Sequence, residues 1–147
     1  MTTTTDQCFE VTADDFKIID TPRGKVIETL LKGVSLILFY NSVSCQFSQQ
    51  FLPVINSLVG DIGCTFGTFD INDNKEYVAL SLQTKTPITY TPYLVIFVGG
   101  KPYMSYHGPP DPLEIKKLIM YVQLMQTITA SMCFNENSVI PIYKISD

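Results

Sequence analysis

Val34-Ser-Leu-Ile-Leu-Phe-Tyr-Asn-Ser-Val-Ser-Cys-Gln-Phe-Ser-Gln-Gln-Phe-Leu-Pro53 is the stretch that decides the fold. Leu36 to Tyr40 is an unbroken apolar run, too short to span a membrane and suited to a strand buried on both faces. A polar turn, Asn41 to Ser44, follows. Phe47, Phe51, Ile55 and Leu58 then recur at i, i+4, i+8 and i+11, with Val54 beside them, which marks one face of a helix. Cys45 accordingly stands where a buried strand hands over to a helix N-terminus. The unpaired N–H groups and the macrodipole there favour an anion, and for cysteine the anion is the thiolate.

Upstream, Phe9 to Val11 and Phe16 to Ile19 read as short strands around a Thr12-Ala-Asp-Asp15 turn, and Pro22-Arg-Gly24 reads as a loop. Val26 and Leu30, and Ile27 and Leu31, lie four apart, so Lys25 to Lys32 is predicted as a helix ended by Gly33. Downstream, Thr65 to Ile71 is a second core strand, with an irregularity expected at Gly67. Asn72-Asp-Asn74 offers capping side chains to a helix over Lys75 to Leu82, and Thr84 to Tyr90 is a polar loop holding Pro87. Tyr93 to Val98 turns through Gly99-Gly100 into a strand over Pro102 to Tyr106. Asp111-Pro-Leu-Glu114 opens a helix with an Asp cap, Pro at N1 and Glu at N3, and Ile115, Leu118, Ile119 and Val122 form its core face.

This succession resembles the thioredoxin-like superfamily over roughly Lys25 to Leu124. The family's C-x-x-C or C-x-x-S motif opens a helix straight after the central strand, as Cys45-Gln46-Phe47-Ser48 does, and Pro53 stands where its members carry a helix-kinking proline. Thr91-Pro92, the Gly99-Gly100 hairpin and Gly108 match the family's cis-proline, hairpin and late glycine in order. The resemblance implies an α/β thioredoxin-like fold, a mixed central sheet flanked by helices. It divides the chain into an N-terminal extension with short strands (1–24), a thioredoxin-like domain (25–124) and an apolar C-terminal extension (125–147). It also implies that the Thr91–Pro92 bond is cis and that Gln46, Phe47, Thr91 and Pro92 form the substrate-binding surface around Cys45 and Ser48.

The chemistry of the motif is that of one thiol. A thiolate attacks a disulfide to give a mixed disulfide, which the second cysteine of a C-x-x-C motif then resolves. Here that second position is Ser48, which donates a hydrogen bond but expels nothing, so dithiol reduction by this motif alone is excluded. Ser44 replaces the usual aromatic residue before the motif. Leu38 and Phe39 stand where many members bury a carboxylate, and no Lys, Arg or His adjoins Cys45. Cys45-x-Phe47-Ser48 is also similar to the monothiol glutaredoxins, which hold an iron–sulfur cluster through one cysteine and glutathione. Their glycine is Gln46 here, and neither their upstream lysine nor their Gly-Gly-Asp is present, so no cofactor is expected.

Cys8, Cys64 and Cys133 match no zinc spacing and read as buried or incidental thiols, with one of them available as a distant resolving cysteine if the fold brings it to Cys45. His107, the only histidine, reads as an ordinary strand-end residue, and no P-loop or dinucleotide fingerprint is present.

At 147 residues the chain is one domain by prior. Hydrophobic residues make up 46% and charged residues only 16%, a low charge density that favours a surface covered by a partner. A net charge of −4 without a basic cluster argues against nucleic acid and acidic membranes. The N-terminus lacks the regions of a signal peptide and no apolar run is long enough to span a bilayer, so a reducing cytoplasmic site is expected, with incorporation into a larger particle open. Residues 125–147 carry Ile128, Met132, Phe134, Val139, Ile140, Ile142, Tyr143 and Ile145, too apolar for a disordered tail. They either pack on the domain or dock on another subunit, and docking is favoured because the Asp111–Leu124 helix already completes the family fold.

Two functions follow as expectations. One is a monothiol protein that forms mixed disulfides with client proteins and is turned over by an external thiol. The other is a non-catalytic structural or interaction subunit of a large assembly, meeting its partner through the Cys45/Pro92 groove or the tail; an assembled particle such as a virus shell suits the low charge.

Overall fold

The computed structural model describes residues 9–22, 24–43, 46–60, 63–84, 87–128 and 142–144. The strands are β1 (Phe9–Glu10), β2 (Phe16–Thr21), β3 (Gly24–Thr29), β4 (Val34–Tyr40), β5 (Thr65–Asp70), β6 (Tyr93–Val98), β7 (Lys101–His107) and β8 (Ile142–Lys144). Among them run the helices α1 (Gln46–Leu58), α2 (Lys75–Ser81) and α3 (Pro112–Ile128). One six-stranded mixed sheet has the order β1-β5-β4-β6-β7-β8, and β2 and β3 form a separate hairpin. β1 and β4 run parallel to β5, β6 is antiparallel to β4 and to β7, and β8 is parallel to β7.

The apolar runs of β4 and β6 are continuous because both faces of the sheet are covered. Leu36, Leu38, Leu94 and Ile96 point to one side, where Phe51, Ile55 and Leu58 of α1 and Ile115, Leu118, Ile119 and Val122 of α3 complete the core. Ile37, Phe39, Tyr93, Val95 and Phe97 point to the other, against Phe16, Ile27, Phe69, Tyr77 and Ile88. Phe16 is the hub of that second core: its ring centroid lies 5.5 Å from those of Phe69 and Tyr77, 6.0 Å from Phe39 and 6.1 Å from Phe97. The expected fold class, a mixed sheet with helices on both faces, is met.

The helix expected over Lys25 to Lys32 is instead β3. Its residues pair in register with β2, Ile18 opposite Ile27 and Phe16 opposite Thr29. Four-residue spacing made Leu30 a core position, yet Leu30 is 55% exposed while the adjacent Val26 and Ile27 are both buried. β-Branched Val26, Ile27 and Thr29 suit a strand, and the hairpin supplies the missing partner. The hairpin end is tied to the sheet: the N–H of Thr29 donates to the Gly100 carbonyl at 2.8 Å, and the N–H of Gly99 donates to that of Gly33 at 2.9 Å.

Two other expectations are corrected. β5 runs through Gly67 without a break in register; the irregularity lies between Ile96 and Phe97 in the β6–β7 pair. The Asn74 side chain does not cap α2 but donates to the Asp70 carbonyl at 2.9 Å. Within the tail, residues 142–144 pair with Ser105 to His107 of β7. Residues 129–141 and 145–147 lie outside the described set. α3 is capped as expected, Asp111 Oδ1 accepting the N–H of Leu113 at 3.0 Å, and it continues past 124 to Ile128. No described helix is long and apolar enough to cross a membrane.

Candidate functional site

Strand register brings Pro92, His107 and the start of α1 to one end of the sheet. β4 ends at Tyr40 opposite Asp70, the last residue of β5, and β6 begins at Tyr93 opposite Phe39. Leu94 pairs with Tyr106, so His107 and Gly108 leave β7 at the same end. Asn41 to Val43 depart from β4 here, and α1 begins at Gln46, the residue after Cys45. Ser44 and Cys45 lie outside the described residues, as do the side chains of Gln46, Phe47 and Ser48, whose backbone forms the first turn of α1. The Thr91–Pro92 peptide is cis, as expected.

Pro92 lines a small cavity of about 130 Å³ together with Phe51, Tyr90, Leu94, Tyr106, His107 and Gly108. Its walls combine aromatic and apolar side chains with polar surface, including the His107 imidazole, and no Lys, Arg, Asp or Glu lines it. Tyr106 is held by donating its hydroxyl to the Pro109 carbonyl at 2.7 Å, and its ring meets that of Phe51 edge-on at 6.4 Å. Tyr90 packs on Tyr93 at 5.2 Å. Burial, with Tyr90 beside it, pushes the Tyr93 hydroxyl up to about 12, so it stays protonated. Such a surface accepts an apolar side chain or the apolar part of an extended peptide. His107 belongs to this cavity, a placement that strand-end position alone did not reveal.

Sequence reasoning also missed Asp70. Only 7% exposed, it accepts the N–H of Ser42 at 3.3 Å and that of Asn72 at 3.0 Å through Oδ1. Burial pushes its carboxyl up, but hydrogen bonds from the Ser42 side chain and from the backbone of Asn72 and Ser42 prevail and hold it below its ordinary value. The only signal was an Asp at a strand end, indistinguishable in the sequence from the capping residues Asn72 to Asn74.

Cys64 lies at the end of the sheet opposite Tyr40 and the start of α1. It adjoins Thr65, which pairs with Ser35 at the opposite end of the parallel strands. Five residues of β4 separate Ser35 from Tyr40, about 17 Å at a strand's rise per residue. Disulfide-bonded Cα atoms lie within about 7 Å. Burial raises the Cys64 thiol to about 12, with a hydrogen bond to the Leu36 backbone opposing, so it is an inert core group. Cys8 and Cys133 lie outside the described residues, and no group of three or more His, Cys, Asp or Glu among the described residues is placed to hold a metal.

No protein-family model matches the chain. It is 28% identical over 101 residues to uncharacterized protein 196R of Invertebrate iridescent virus 6, covering 68% of this chain and 58% of that protein. It is also 28% identical over 112 residues to uncharacterized protein 020R of Invertebrate iridescent virus 3, covering 73% and 67%. The chain thus spans little more than half the length of the first of these relatives. Among solved structures it is similar to a mutant thioredoxin from Halobacterium salinarum, with a TM-score of 0.60, 21% identity and coverage of 82% of this chain and 95% of that one. Spinach chloroplast thioredoxin f gives 0.59 at 15% identity, covering 84% and 99%. The zinc-bound form of human ERp44 gives 0.59 at 16% identity, covering 84% of this chain and 34% of that one. At these identities the likeness is one of fold: this chain has the thioredoxin-like fold.

Proposed function

On this thioredoxin-like frame, we propose that the chain is a monothiol exchange protein. The Cys45 thiolate attacks a client disulfide, forming a Cys45–client mixed disulfide and expelling the client's other sulfur as a thiolate. An external thiolate of the glutathione class then attacks the client sulfur, returning Cys45 as its thiolate and leaving the client joined to the external thiol. The Ser48 hydroxyl can donate a hydrogen bond to the Cys45 thiolate but cannot displace the client. In this reading the client's peptide is taken by Gln46, Phe47, Thr91 and Pro92. The observation that supports this reading best is the convergence, at one end of the sheet, of the start of α1, the cis Thr91–Pro92 bond and the aromatic cavity beside Pro92.

The test is a reaction of the reduced protein with a peptide disulfide, followed by mass mapping. The adduct is expected on Cys45, absent from Cys45→Ser and retained in Cys64→Ala. A Cys45 that reacts no faster than an ordinary peptide thiol, of pKa near 8.5, overturns the proposal.

Separate observations favour a second reading, a structural or interaction subunit of a large assembly such as a virus particle. The two relatives above come from invertebrate iridescent viruses, and α3 carries exposed Leu113, Met120, Tyr121 and Leu124 on a chain of low charge. Under that reading a Cys45→Ser chain still enters its assembly, and exclusion of that variant tells against it.

A further inference from the structure

We infer that Asp70 is the positioning residue of the Cys45 loop, gripping from the end of β5 the backbone that carries the chain from β4 to α1. The grip stands on geometry alone; its consequence for thiol exchange rests on the monothiol reading.

The loop leaves β4 at Tyr40, and its first two N–H groups beyond Asn41 are both engaged. Ser42 donates to Asp70 Oδ1 at 3.3 Å, and Val43 donates to Asn41 Oδ1 at 2.9 Å. The Asn72 side-chain amide meets Asn41 Oδ1. With that amide turned over, its oxygen faces the N–H groups of Ser42 and Val43, each at 3.3 Å, and lies against Asn41 Oδ1, which must then turn as well. In either orientation Asn72 binds the loop. Asn72 is itself fixed by its N–H to Asp70 Oδ1, and Asn74 Nδ2 holds the Asp70 carbonyl at 2.9 Å. Asp70 therefore joins two segments 28 residues apart in sequence.

A carboxylate this buried is costly to desolvate and persists where donors meet it. The donors here are neutral groups of Ser42 and Asn72, so the carboxylate orders the loop rather than neutralising a cation. Only Ser44 stands between Val43 and Cys45. Fixing Ser42 and Val43 limits the directions in which the thiol can be presented, and a displacement at sulfur is fast only when nucleophile and disulfide are held in line.

The test compares Asp70→Asn, which keeps an Oδ1 acceptor and drops the charge, with Asp70→Ala, which removes the acceptor. Three measurements are made on the full chain: native-state hydrogen exchange of the Ser42 and Val43 amides, mixed-disulfide formation with oxidised glutathione, and alkylation of Cys45 by iodoacetamide. Asp70→Asn should stay within about threefold of the parent in all three, because a neutral oxygen still accepts the loop N–H groups. Asp70→Ala should speed exchange at Ser42 about tenfold and slow mixed-disulfide formation about tenfold, with alkylation changed far less, since a lost buried hydrogen bond is worth roughly that factor. Where Asp70→Ala does not fold, Asn72→Ala must speed exchange at the same amides. Unchanged exchange at Ser42 in a folded alanine variant overturns the grip, and so does an asparagine variant as impaired as the alanine one. If exchange responds but the parent forms no adduct at Cys45, the monothiol reading falls and the grip remains.

Discussion

Replacing Gly100 by alanine tests how the β2–β3 hairpin is seated on the sheet. Gly100 has φ +86°, and a Cβ built there would meet the Thr29 carbonyl oxygen at 2.5 Å. Gly99, its neighbour in the same turn, has φ +57° and nothing within 4 Å of its Cβ position. The two glycines thus separate a conformational cost from a packing cost. Alanine at either position incurs the left-handed penalty of about 1–2 kcal/mol. Only at Gly100 must a backbone carbonyl move, by about 0.5 Å to reach even the shortest tolerated contact of 3.0 Å. That shift strains the 2.8 Å bond from the Thr29 N–H to the Gly100 carbonyl. Overpacking of this kind costs about 1–3 kcal/mol. Gly100→Ala is therefore expected to lose about 2–5 kcal/mol against about 1–2 for Gly99→Ala, a large share of a domain's roughly 5–15 kcal/mol. Urea unfolding followed by circular dichroism measures both, provided the m-values agree. Equal losses for the two variants refute the tight seat, because the backbone clash with Thr29 is present only at Gly100.

Two further predictions concern the ionisable groups. Cys64 should resist alkylation in the native protein at pH 8 and react only on unfolding, since burial raises its thiol to about 12; peptide mapping that finds Cys64 labelled under native conditions counts against its place in the core. For Asp70, the folded carboxyl lies below the unfolded value of 3.8, so its contribution to stability is full above that pH and is lost as pH falls through the folded value. Acid titration of the parent and Asp70→Asn should therefore show the parent's advantage shrinking below about pH 3.8, and an advantage that grows on acidification would reverse the assigned direction.

What was legible in the sequence was what short-range pattern determines. Leu36 to Phe39 announces a doubly covered strand because both parities are apolar, and both faces of the sheet are indeed filled. The Asp111 cap was readable because its donor, Leu113 N–H, is two residues away. The β3 segment was misread because four-residue spacing of Val26 and Leu30 suits a helix equally well. Its strand identity depends on pairing with Phe16–Thr21 and on the sheet face that Phe16 and Ile27 cover. Tertiary pairing decides short segments of this kind, and local propensity does not. The tail shows the same limit from the other side: its apolar content called for a surface, but nothing local names β7 as the strand beside Ile142 to Lys144.

The site divides along the same line. The Thr91–Pro92 bond and the start of α1 were legible because motif order carries them. The residues that surround them were not, because each acquires its role from a partner far along the chain. His107 enters the cavity through the pairing of β7 with β6 and the return of β6 beside β4, which places it near Pro92 and Phe51. Asp70 becomes more than another polar residue before a helix only when Tyr40 lies opposite it and Ser42 turns back over its carboxylate. The central strands thus do two things at once. Their apolar faces hold the two helix layers and the hairpin, and their common end holds the loop between β4 and α1. A thioredoxin-like chain without a second motif cysteine or a carboxylate in its central strand still has a buried carboxylate one strand away, bonded to the loop backbone.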